Sequence, residues 1–198
     1  MTMTGVQISG VKMGVEAMGG TLVINGESRI TFNNGAGNYG VKVGSAVESA
    51  NLTNVRIEGT GGNGVGSKGV IVDRTKMIME EVRISNVAMG VEVMGAGKLL
   101  IKGGEIGFKG DYGVSLKEGG AAFLGEVTIK GNGTGQEGIK LNGGMVDLFR
   151  TNIREVQKGM SVTNGGVQML EGEIGFKGEY GISLTKSTAA LMGVTIKG

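Results

Sequence analysis

Apolar residues recur along this chain in short alternating stretches, never at helical spacing. The clearest marker is Gly-Φ-x-Φ, with Φ apolar. It reads GVEA at Gly14, GVKV at Gly40, GVIV at Gly69, GVEV at Gly90, GVSL at Gly113, GIKL at Gly138, GMSV at Gly159 and GISL at Gly181. Successive markers lie 26, 29, 21, 23, 25, 21 and 22 residues apart, a mean of about 24. The order inside each period is constant. A short apolar patch (TLVI from Thr21, LLI from Leu99, VQML from Val167) leads into an alternating Φ-x-Φ such as VRI at Val55 and Val82, ITF at Ile30 or IGF at Ile106. A Gly- and Asn-rich stretch of variable length follows, then the marker.

Alternation at period two gives each stretch one buried and one exposed face, the signature of a strand. Three strands of three to five residues per period, separated by glycine turns, leave no room for a helix. The longest insertions, NNGAGNY and GTGGNGVGSK, fall at one point of the cycle, as loops do in a solenoid. The pattern predicts an all-β chain: a right-handed parallel β-helix of about eight to nine coils, each of roughly 21–29 residues with three short strands. One inward column is expected to run Val15, Val41, Val70, Val91, Val114, Ile139, Met160 and Ile182. The methionines, Met77, Met79, Met169 and Met192 among them, are expected to fill gaps near the core.

Composition sharpens this reading. The 198 residues include 42 glycines but no proline, cysteine, histidine or tryptophan. Glycine without proline excludes collagen, and 39% apolar residues exclude a disordered linker. A formal charge of +2 gives no basic field for nucleic acid, so none is expected as a partner. No apolar run is long enough to span a membrane as a helix. Without histidine or cysteine the commonest general base, the soft metal ligands and the thiol nucleophile are missing. Glycan hydrolases work with paired carboxylates. Here Asp73, Asp111 and Asp147 fall at three different phases of the repeat. No catalysis, cofactor or metal is expected; a carbohydrate-active enzyme is the least favoured alternative.

Two outward features are candidates for binding. Arg56 and Arg83 occupy the same phase of the middle strand and should be neighbours on successive coils, where they suit an anionic glycan or an acidic partner. The middle-strand outer column is expected to run Gln7, Thr31, Arg56, Arg83, Gly107, Thr128, Asn152 (or Arg154), Gly175 and Thr195, and that of the last strand Glu16, Lys42, Ile71, Glu92, Ser115, Lys140, Ser161 and Ser183. The second feature is a near-duplication. GEIGFKGDYGVSL at 104–116 returns as GEIGFKGEYGISL at 172–184 with eleven of thirteen positions identical. Its apolar residues and glycines have structural reasons to recur. That leaves Lys109, Asp111 and Tyr112, with Lys177, Glu179 and Tyr180, as side chains available to a partner.

The grammar GVxV…GG…LxxVxIxG, as in GVEVMGAGKLLIKGGEIGF and GVSLKEGGAAFLGEVTIKG, resembles the passenger domains of Gram-negative autotransporters of the Bartonella type. The likeness spans the whole chain. It implies a single β-helical passenger domain over 1–198, cut from a longer chain whose signal peptide and membrane-translocating barrel lie outside it. It implies secretion or display at the bacterial surface. For the proangiogenic members of this kind of virulence factor it implies action on host endothelium through a vascular endothelial growth factor receptor. Adhesion to extracellular matrix or to sulfated glycan such as heparin is the alternative. Receptor kinases need two receptor chains brought together. The duplicated segments are three coils, or about 14 Å, apart, too close for two receptors side by side. A homodimer is therefore expected if a receptor is the partner.

Overall fold

The computed structural model describes residues 1–61 and 66–198; residues 62–65, at the centre of the GTGGNGVGSK loop, lie outside the described residues. The described residues are all-β without a helix, wound as a parallel β-solenoid of about 8 turns. Every strand pairing is parallel, and each strand pairs with its counterpart one coil away, as Thr2–Thr4 does with Gly20–Asn25 and Tyr39–Val43 with Lys68–Asp73. A 4.8 Å strand spacing makes the stack roughly 40 Å long.

Like stacks on like in the interior. The middle strands carry an isoleucine column that runs in register from Ile8 through Ile30, Ile57, Ile84 and Ile106 to Ile129, and resumes at Ile174 and Ile196. The last strands supply the expected valine column: Val15, Val41, Val70, Val91, Val114 and Ile139 are buried and in register. β-Branched side chains fit this repeated pleat because their restricted rotamers are also the ones that interdigitate with the coil above. Met77, Met79 and Met169 lie in the core as expected, whereas Met192 is exposed on the outer face.

The marker glycine has a purely steric cause. None of the eight has a positive φ. Instead, each faces inward at the junction where the next coil's isoleucine passes. A Cβ on Gly14 would lie 2.4 Å from Ile30 Cγ2, and one on Gly113 would lie 2.3 Å from Ile129 Cγ2. The same geometry holds for Gly40 under Ile57, Gly69 under Ile84 and Gly138 under Ile153. The Gly-Φ-x-Φ marker and the middle-strand isoleucine are thus two halves of one contact between successive coils.

Positive φ occurs at other positions, among them the corner between first and middle strands. There Gly5, Gly26, Gly103 and Gly193 share the left-handed conformation with Asn54, Glu81, Glu126, Arg150 and Glu171. The corner conformation is imposed by the winding whatever residue occupies it. Non-glycine residues bear its strain because stacking on both sides determines the turn.

The register corrects one expected column. The outer residues that lie beside each other on the middle strands are Gln7, Arg29, Arg56, Arg83, Glu105 and Thr128. Arg29 therefore replaces Thr31, and Glu105 replaces Gly107. Glu173, paired with Thr195, likewise replaces Gly175. Thr31 pairs with Glu58, one step further along the strand. The first apolar residue of VRI is a buried corner residue, whereas the first of ITF and IGF is the core isoleucine. The two motifs differ in phase by two residues.

Candidate functional site

The middle-strand face carries a ladder of three arginines, Arg29, Arg56 and Arg83, on three consecutive coils. All three are exposed. Arg29 donates to Glu58 Oε2 at 2.6 Å. Among the described residues Arg56 and Arg83 have no ion-pair partner. The ladder borders a depression of about 450 Å³, whose walls also hold Gln7, Asn54, Glu27 and Glu81. At its lower end Glu105, next in the column, accepts from Arg154 Nη2 at 3.3 Å. The positive stretch is therefore three coils long, bounded by Gln7 at one end and Glu105 at the other.

The last-strand face is built around a buried carboxylate. Glu92 sits on the outward column, as its register requires, yet only 1% of it is exposed. Three side chains close over it from the coils on either side. Lys68 and Tyr112 occupy the column just before the marker glycines, and Lys117 follows the marker of the next coil. Lys68 donates to Glu92 Oε2; Tyr112 and Lys117 donate to Oε1 at 2.8 and 2.5 Å. Burial alone would raise the Glu92 carboxyl. The hydrogen bonds from Lys117, Lys68 and Tyr112 outweigh burial and hold it below its ordinary value. Burial first, and then the Glu92 charge, push the Tyr112 phenol far above its usual range, so it remains a donor. Ile71 and Ser115, flanking Glu92 in the same column, are buried with it.

The duplicated segments therefore differ in what they offer. Tyr112 is turned down onto the rod and is 4% exposed, a staple between coils rather than a contact surface. Lys109 and Asp111 beside it are exposed, and neither has an ion-pair partner among the described residues. In the second copy Tyr180 is half-buried. Lys158 lies 5.2 Å over its ring and pairs with Glu179 at 3.2 Å. Ser161 gives its one proton to Glu137 Oε1 at 2.9 Å. The 3.0 Å contact between Ser161 and Tyr180 is therefore donated by the tyrosine. Lys177 is exposed. All three tyrosines reach back to the same position of the preceding coil: Tyr39 toward Glu16, Tyr112 to Glu92 and Tyr180 to Ser161.

Arg29 and Glu92 are the residues that sequence reasoning missed. Arg29 was legible once the isoleucines, rather than the first apolar residue of each motif, were aligned. Glu92 was placed in the right column, but no pattern in one sequence shows three side chains closing over it. Among the described residues no group of three or more acidic side chains is placed to hold a metal ion. No family model matches the chain, and no curated protein matches its sequence.

Proposed function

We propose that this β-solenoid is an extracellular binding rod of the autotransporter-passenger kind, and that its arginine ladder takes a sulfated glycan lying along the rod. One observation carries this reading. Arg29, Arg56 and Arg83 stand in direct register at about 4.8 Å intervals, and two of them have no ion-pair partner among the described residues. A guanidinium presents a planar fork to paired sulfate oxygens and is never deprotonated. A linear polyanion gains from a row of such forks, whereas a single anion does not. Retention on a heparin column is expected to fall as salt rises. With about 0.7 kcal/mol for each exposed contact, Arg56→Ala/Arg83→Ala should weaken binding about tenfold. Lys109→Ala/Lys177→Ala, on another part of the coil, should leave retention unchanged. Equal retention of the parent and the arginine variant would remove the glycan reading.

The second reading is a host receptor ligand, as the likeness to proangiogenic passengers implies. It is favoured by the unpaired, exposed Lys109 and Asp111, and by Lys177 three coils away at about 14 Å. Purified protein applied to endothelial cells should raise phosphorylation of a vascular endothelial growth factor receptor, and Lys109→Glu/Lys177→Glu should lower that signal several-fold. Absence of both phosphorylation and receptor capture by the parent protein would end this reading.

A further inference from the structure

The first strands carry an outer face that the arginine ladder does not use. Its central column runs Ile78, Leu100, Phe123, Asp147 through consecutive ladder pairs. Around its far end lie Met145, Leu170 and Met192, which are 48%, 43% and 70% exposed, with Phe123 at 38%. Phe123, Leu170 and Met192 border an open groove of about 580 Å³. Solvated sheet faces alternate apolar-in and polar-out; this one is apolar on both sides over several coils, and such patches mark interfaces.

We propose that this face packs against the same face of a second copy, about a two-fold axis that lies between the two faces, runs parallel to the strands and passes over Phe123. The charges on the face select this partner. Asp147 is half-buried among the apolar side chains, and its Oδ1 is shut off from solvent without a hydrogen-bond partner. Lys98 lies on the same face two coils away, exposed and without an ion-pair partner among the described residues. The coil of Phe123 lies midway between the coils of Lys98 and Asp147. A two-fold axis there sets Asp147 of each copy against the Lys98 coil of the other, and Phe123 against Phe123. One face thus holds both halves of a self-complementary, isologous contact.

Size sets the strength. Six coils of about 4.8 Å by five residues of about 3.3 Å give roughly 500 Å² per copy. A total of roughly 1,000 Å² lies at the low end for specific interfaces. The dimer is therefore concentration-dependent, not obligate.

Sedimentation velocity over a series from about 1 to about 200 µM tests this. The average mass should rise from one 20.2 kDa chain toward two. Phe123→Glu should raise the dissociation constant at least tenfold. Lys98→Asp and Asp147→Lys should each weaken the dimer, and the double exchange should restore it; that recovery is not a property of general misfolding. Circular dichroism and melting temperature check that each variant keeps the fold. A chain that stays monomeric throughout, a dimer indifferent to Phe123→Glu, or a double exchange no tighter than the weaker single variant overturns the proposal. A monomer whose co-flotation with phosphatidylcholine vesicles depends on Phe123 would assign the face to a lipid surface instead, and would equally overturn it.

Discussion

Gly90→Ala should destabilise the solenoid by about 3 kcal/mol, although it adds a single methyl group to a residue of ordinary φ. At most positions of that kind the change is mildly stabilising, by about 0.4–1 kcal/mol, because alanine restricts the unfolded chain. At Gly90 the added Cβ would lie 2.3 Å from the carbonyl oxygen of Gly113 and 2.3 Å from Ile106 Cγ2. Relief would require moving the backbone of the next coil, and a close-packed interior resists such a shift. Gly10→Ala supplies the contrast. Gly10 has a φ of 70° and no atom within 4 Å of a built Cβ, so only backbone strain opposes it, at about 1 kcal/mol. In a solenoid each coil is held mainly by its neighbours. Gly90→Ala should therefore also lower the m-value in urea, as the stack loses cooperativity at that junction. If Gly90→Ala is as stable as the parent, or less damaging than Gly10→Ala, the glycine–isoleucine lock is not what the marker encodes.

Glu92→Gln should cost about 2–4 kcal/mol at neutral pH. Removing one member of a buried ion pair typically costs about 3–5 kcal/mol, because the remaining charge is left without compensation. The lower figure applies here because the side chains of Lys68 and Lys117 are 25% and 46% exposed and can turn to water. The pH dependence distinguishes charge from shape. The folded carboxyl titrates below its ordinary value. Its stabilisation is therefore complete above the unfolded value and is lost as pH falls through the lower, folded one. The gap in melting temperature between the parent and Glu92→Gln should be constant from neutral pH upward and should close in acid below about pH 4. A gap of the same size at pH 7 and pH 3 would mean that Glu92 acts through packing alone. Tyr112 does not enter this window, because burial and the Glu92 charge keep its phenol protonated.

Much of the architecture was legible in the chain itself. The eight Gly-Φ-x-Φ markers place eight last strands, and the valine column taken from them is in register in the structure. The signal is strong because every coil must satisfy the same environment, so the repeat states the same requirement eight times. The middle strands were harder to align. VRI at Val55 and ITF at Ile30 both look like one alternating unit, yet Ile57 pairs with Ile30 and Arg56 with Arg29. Two-residue alternation cannot distinguish a motif from itself shifted by two, since the shift preserves which side chains face inward. The third arginine of the ladder was lost to that ambiguity.

Burial on the outer faces was less legible still. Sequence alternation places Glu16, Lys42, Glu92 and Ser115 on one outward column, and that much is correct. It cannot show that Glu92 is sealed while Glu16 stays exposed. The difference arises because Lys68 comes from the coil before Glu92, and Tyr112 and Lys117 from the coil after it, so they meet only when these coils are stacked. The duplicated Tyr180 has Ser161 beneath it instead of a glutamate, so the same thirteen-residue segment makes a different contact.

By itself the sequence determined the winding, the number of coils, the strands and which side of each faces the core. These follow from local alternation and from the glycines, which act within one period. Only the tertiary structure decided which outer residues are free. It left Arg56 and Arg83, beside Arg29, without an ion-pair partner among the described residues, closed Glu92 and Tyr112 away, and placed Lys98 and Asp147 on the coils to either side of Phe123. These relations join residues 20 or more positions apart along the chain. Their geometry is set by the register between coils, which depends on how each isoleucine fits its glycine.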